Sequence, residues 1–108
     1  MNKTLITFFV LTIAVFVFGL ACASKEQEKK GEALFKQHCS VCHSGGGNIV
    51  NPQKTLHKKD RESNGVKTVS DIVGKMRNPG PGMTKFDEKT LPDKEAEEIA
   101  EYVLKTFN

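Results

Sequence analysis

The run Cys39-Ser40-Val41-Cys42-His43 constrains this chain more than any other feature. Two cysteines separated by two residues, with histidine directly after, form the pattern by which a c-type haem is attached. The spacing follows from the chemistry. Two thiols must add across the two vinyl groups on one porphyrin edge, and a two-residue gap on a tight helical turn lets both sulfurs reach. His43 then carries its imidazole beneath the iron as an axial ligand. Two other readings of the same residues stay open. A redox dithiol also uses C-x-x-C, although it would belong with an alternating strand and helix pattern that this sequence lacks. A structural zinc site needs four ligands. His38 and His57 are available for one, but neither makes a second tight pair.

The chain has 108 residues, enough for a single domain. Its first stretch reads as a leader. Lys3 gives a positive start, Leu5 to Ala21 is apolar apart from Thr7, Thr12 and Gly19, and Ala21-Cys22-Ala23 precedes an abrupt change to charged residues. That order is the pattern of a secretory signal peptide, expected over residues 1–23. Two alternatives remain: a retained anchor, for which the apolar run is slightly short, and a lipoprotein with Cys22 lipidated after cleavage. Cleavage after Ala23 leaves residues 24–108 as the domain. Without Lys3 that domain has 15 basic and 13 acidic residues, a net charge of +2. So weak a positive balance gives no argument for a nucleic-acid partner. A chain this short has a modest core, and with no Trp it stands to gain from a bound group that fills its interior.

The mature segment reads as all-α. Ser24 to His38 is a charged helix with Ala33, Leu34 and Phe35 as an apolar patch near its end. Ser44 to Gly65 reads as loop, opened by Gly45-Gly46-Gly47 as a flexible turn and punctuated by Asn51-Pro52 and Asn64-Gly65. A second helix runs over Ser70 to Arg77, capped by Ser70 or Thr68, with Ile72, Val73 and Met76 on one face. Asn78-Pro79-Gly80-Pro81-Gly82 ends it. A last helix starts near Asp93 as N-cap. Ala96, Ile99, Ala100, Val103 and Phe107 share one face, while Glu95, Glu97, Glu98 and Glu101 face water or the helix start.

A haem held by one histidine keeps an open face, and a second ligand converts it to an electron carrier. The candidates are Met83, His57, Met76 and His38. His38 abuts Cys39 and is held on the rim. Met76 lies on an apolar helix face, where it reads as core. His57 sits in a polar loop close to the haem box. Met83 is forty residues from His43, enough chain to wrap the haem, and follows a proline-glycine loop that has lost much of its freedom. It is the expected ligand. An unligated face, and hence an enzyme or ligand sensor, is the competing function.

These residues fall in an order that resembles the class I c-type cytochromes. Gly31-Glu32-Ala33-Leu34-Phe35 before CSVCH is similar to that family's opening. Gly46-Gly47-Asn48-Ile49-Val50 with Lys54-Thr55-Leu56 is similar to the loop of its small soluble photosynthetic members. Gly82-Met83-Thr84-Lys85-Phe86 stands where the family has its axial methionine, and Ala100-Glu101-Tyr102-Val103-Leu104 matches its last helix. The resemblance implies a small all-α fold of three to four helices round one haem c, covalently bound through Cys39 and Cys42, with His43 and Met83 on the iron. It also implies that the first and last helices cross at Gly31 beside Tyr102, and that the Pro52 carbonyl accepts a hydrogen bond from the proximal histidine. The chain departs from the family in its proline-rich loop 78–82 and its charged stretch 57–65.

The expected function is single-electron transfer, not catalysis. No acid–base constellation, catalytic triad or phosphate loop is present in the sequence. Partners are expected to be other redox proteins, docking transiently at the exposed haem edge of a monomer, with no nucleic acid and no membrane span after processing. Lys54, Lys58, Lys59, Lys85 and Lys89 flank the haem-contacting segments and either steer an acidic partner or form an ordinary solvated surface. The expected location is the periplasm, with lipid anchoring at Cys22 as the alternative.

Overall fold

In the computed structural model, the backbone is described for residues 2–108, and side chains for Asn2, Lys3 and residues 22–108. The leader expected over residues 1–23 falls, apart from Asn2, Lys3, Cys22 and Ala23, outside the described side chains. The chain forms α1 (Lys3–His38), α2 (Ser40–His43), α3 (Lys58–Ser63), α4 (Val69–Arg77) and α5 (Asp93–Thr106), with a 3-10 turn at Ser44–Gly46. No strand occurs among the described residues.

α4 is short and owes its start to a capping box. The Thr68 hydroxyl accepts from the Asp71 backbone N–H at 3.1 Å, and the Asp71 carboxylate accepts from the Thr68 N–H at 2.9 Å. Of the two caps considered, Thr68 is the one used. α5 is entered from Pro92, so Asp93 is its first helical residue and not its cap. The Asp93 carboxylate instead pairs with Arg77.

α5 crosses α1 at Gly31. A Cβ there would lie 2.5 Å from the Glu98 carbonyl oxygen and 3.0 Å from Tyr102 Cβ, so only glycine allows this approach. Phe35, Tyr102 and Phe107 stack at the crossing, with ring centroids 5.3–6.0 Å apart. The expected crossing is therefore present, but one of its residues points the other way. Glu98, expected to face water, is buried against α1, where Lys30 offsets its charge at 3.1 Å. Ala33, expected in the apolar patch, is exposed, while Phe35 is buried.

The core consists of Phe35, Ile72, Met76, Leu91, Ala96, Ile99, Ala100, Val103 and Phe107. It does not close on itself. Six of these nine also line a cavity, so the apolar interior of α1, α4 and α5 is one wall of a binding site.

Candidate haem site

The cavity has a volume of about 580 Å³, in the range of sites that enclose a small ligand or cofactor. Its floor is apolar: Phe35, Ile72, Met76, Leu91, Ile99 and Val103. Cys39, Cys42 and His43 approach it from one side, and the segment Gly80 to Thr84 from another.

The first side is built by a break in helical structure. α1 ends as the Cys39 N–H donates to the Phe35 carbonyl, and one further turn begins at Ser40. Within that turn the Cys42 and His43 N–H groups both donate to the Cys39 carbonyl, at 3.2 and 2.9 Å. The two cysteines and the histidine thus ride one helical turn, as the attachment chemistry requires. His43 Nδ1 lies 2.8 Å from the Gly47 carbonyl oxygen. A carbonyl can only accept, so Nδ1 carries the proton and Nε2 keeps its lone pair for a metal.

This arrangement corrects the role expected for Pro52, which is exposed and does not line the cavity. Gly45 and Gly46 adopt φ of 62° and 80°, a left-handed turn that folds the chain back at once. The Gly47 carbonyl therefore reaches the histidine, and Pro52 lies further out. The triple glycine is not the flexible turn expected. Gly46 is buried, its carbonyl accepts from the Leu56 N–H at 2.7 Å, and a Cβ on it would stand 2.6 Å from the Phe107 ring. Asn48 fixes the rest of the loop. Its side-chain oxygen accepts from the N–H groups of Val50 and Asn51, and its amide donates to the Lys54 carbonyl. The stretch read as loop also contains α3.

The second side is a clamped loop. The Phe86 N–H donates to the Met76 carbonyl at 2.9 Å. Arg77 donates through one guanidinium nitrogen to the Phe86 carbonyl, at 2.9 Å, and through the other to Asp93. Residues 77–86 are thereby tied at their base, with Pro79 and Pro81 stiffening the span. Gly82, at φ 88°, meets Val50 of the opposite loop and precedes Met83. The sequence reading placed Arg77 only at the end of a helix and Val50 only within the family-like loop, and gave neither a role at the site.

Of the four candidates for a second ligand, Met83, Met76 and His38 line the cavity. His57 does not; its ring packs edge-on to Phe107. Met76 is buried core, and His38 packs edge-on to Phe86. Lys54 lines the opening, as does Lys75, which was not among the expected lysines.

The donor set suits a haem and suits the alternatives poorly. A redox dithiol needs a thiol of lowered pKa, whereas burial pushes Cys39 up to about 11. Zinc needs four ligands, and no group of three metal-binding side chains is assembled among the described residues. Two thiols and the His43 imidazole, carried on one helical turn beside an apolar cavity, match a flat group bound covalently at one edge. An all-α chain carrying that site on C-x-x-C-H is a class I c-type cytochrome.

The chain belongs to the cytochrome c family: residues 26–103 match the family model described as cytochrome C oxidase, cbb3-type, subunit III. Cytochrome c6 of Cyanidium caldarium is 31% identical over 96% of this chain and 94% of its own. The structure of OmcF, outer membrane cytochrome F from Geobacter sulfurreducens, is 49% identical, with a TM-score of 0.71 over 72% of this chain and 99% of that one. Cytochrome c6 from the diatom Phaeodactylum tricornutum is 32% identical, with a TM-score of 0.67 over 72% of this chain and 91% of its own. The protein is an electron carrier with one covalently bound haem c, not an enzyme, and its partners are redox proteins. Among the described residues, no helix is long and apolar enough to cross a membrane.

Proposed function

We propose that the protein shuttles single electrons in the periplasm through a haem iron held by His43 and Met83. The observation that carries this reading is that His43 and Met83 line one cavity from two independently clamped segments. Haem c supplies an iron that exchanges one electron between its ferric and ferrous states. The Gly47 carbonyl holds the His43 ring in one tautomer, with Nε2 as the ligating atom. The Met83 thioether would favour the reduced iron and raise the potential. The apolar floor would keep water away from the iron, and the clamped segments would keep the reorganisation on electron transfer small.

Val50 and Met83 line the cavity and reach the surface, with Val41 and Ile49 exposed nearby in sequence. This apolar rim, with Lys54 beside it, is where a monomer would dock its partners briefly. In Met83→Ala, haem stays attached through Cys39 and Cys42, the weak near-infrared band of methionine ligation disappears, and the potential falls. An unchanged potential refutes the ligand assignment.

One observation favours a tethered form. Cys22 is exposed, and the relative OmcF is named an outer membrane cytochrome. The mass of the exported protein decides: a chain starting at Ser24 is free, and a chain starting at an acylated Cys22 is anchored.

A further inference from the structure

Two charged side chains are buried among the described residues. Glu98 has Lys30 at 3.1 Å. Arg61, in α3, has no such partner. Only 5% of it is exposed, and none of the ion pairs among the described residues includes it. Its Nε–H donates to the Leu56 carbonyl at 2.6 Å, and Nη2 reaches the Phe107 carbonyl at 3.5 Å, the limit of a hydrogen bond. Among the described residues these are its side-chain hydrogen bonds, and Nη1 takes part in neither. A guanidinium carries five N–H donors in a planar fork. Here the fork is mostly unspent, and its charge is taken out of water without a counter-ion, which is costly unless an anion meets it.

Arg61 also lines the haem cavity. The adjacent carboxylate, Asp60, is engaged elsewhere: it accepts a hydrogen bond from the Thr55 hydroxyl at 2.5 Å. Haem c brings two propionate carboxylates into the cavity, and a carboxylate is the shape a guanidinium fork binds best. We propose that Arg61 is the binding group for one of these two carboxylates, the buried cation and the buried anion each removing the other's desolvation cost. Lys54 and Lys75 line the same cavity, but both are exposed and keep their ammonium groups in water.

This assignment rests on haem occupying the cavity and not on Met83. Its test therefore differs from the test of the axial ligand. The measurement is the reduction potential against pH of the haem-loaded protein and its Arg61→Gln and Arg61→Lys variants. The other titratable groups lining the cavity are His38 from α1, His43 from α2, Lys54 from the loop, Asp60 from α3 and Lys75 from α4; α5 contributes only Ile99 and Val103. All of them are unchanged by the substitution.

Losing the opposite charge should raise the carboxylate pKa by about 1–3 units. In Arg61→Gln the pH-dependent limb of the potential moves up by that amount, while the near-infrared methionine band is retained. Arg61→Lys, which keeps the charge, recovers most of the shift. Superimposable pH profiles with only a lower melting temperature would make Arg61 a strut between Leu56 and Phe107 and overturn the proposal. Should Arg61→Gln fail to fold, the wild-type protein decides. The proton resonances of the two propionate methylenes, followed with pH, should show one carboxylate titrating below the ordinary range. Two ordinary titrations would refute it.

Discussion

Gly82→Ala tests whether the proline-glycine loop is what delivers Met83. Gly82 adopts φ 88°, where an L side chain is strained by about 1–2 kcal/mol. An alanine Cβ there would also stand 2.6 Å from Val50 Cγ1. Val50 is 56% exposed and can turn away, at an off-rotamer cost of about 0.5–1.5 kcal/mol. Together these oppose the loop conformation that presents Met83 by about 1.5–3.5 kcal/mol. The variant can relieve both by releasing Met83. Imidazole added to the ferric protein binds only where Met83 leaves, so its apparent affinity reads the same equilibrium. It should tighten by roughly 10–300-fold, at 1.4 kcal/mol per decade. Adding Val50→Ala removes the contact but not the backbone strain, and should return about 0.5–1.5 kcal/mol of the loss. An imidazole affinity unchanged in Gly82→Ala would mean that the loop does not set Met83, and would refute the reasoning.

Arg77→Gln releases the base of the same loop, and the loss of its hydrogen bonds to the Phe86 carbonyl and Asp93 should tighten imidazole binding about tenfold, at about 1.5 kcal/mol. An unchanged affinity would show that the prolines alone hold the loop. Gly31→Ala gains about 0.5–1 kcal/mol of helix propensity but forces α1 off the Glu98 backbone, at about 1–3 kcal/mol. The net is a lower melting temperature by thermal circular dichroism, and a rise would contradict the crossing. The Asp71 carboxyl is held below the usual carboxylate range, first by the Lys67 and Thr68 N–H groups. A lowered folded pKa adds stability above the unfolded value of about 3.9, and that stability is lost as pH falls through the folded value. Asp71→Asn should therefore be less stable at pH 7, with the gap closing on acidification in denaturant melts. A gap that persists at pH 2 would contradict the carboxylate's role.

The fold was legible where the sequence carries periodicity or punctuation. α4 and α5 declare themselves by their apolar faces, and Gly31, Tyr102 and the haem box occur at the spacings their contacts require. What was hidden depends on long-range packing. Glu98 sits among four glutamates, and only the α1 crossing and Lys30 decide that it turns inward. α3 has an almost wholly charged sequence, Lys58 to Ser63, with no apolar stripe to announce it. It is held by Arg61 reaching back to Leu56 and the chain end, and by the Lys58 N–H donating to the Phe107 carbonyl. The acceptor for His43 was misplaced because the positive φ of Gly45 and Gly46, which puts the Gly47 carbonyl in reach, is a property of backbone and not of composition.

The central claim is that one haem, attached at Cys39 and Cys42, is ligated by His43 and Met83. The measurement that tests it most directly is the absorption spectrum of the exported protein, oxidised and then reduced, carried into the near infrared. A sharp c-type α-band on reduction, with a weak near-infrared band in the oxidised state that vanishes on reduction, is the predicted result. A c-type spectrum lacking that band would contradict methionine ligation, and a spectrum without haem would contradict the account as a whole.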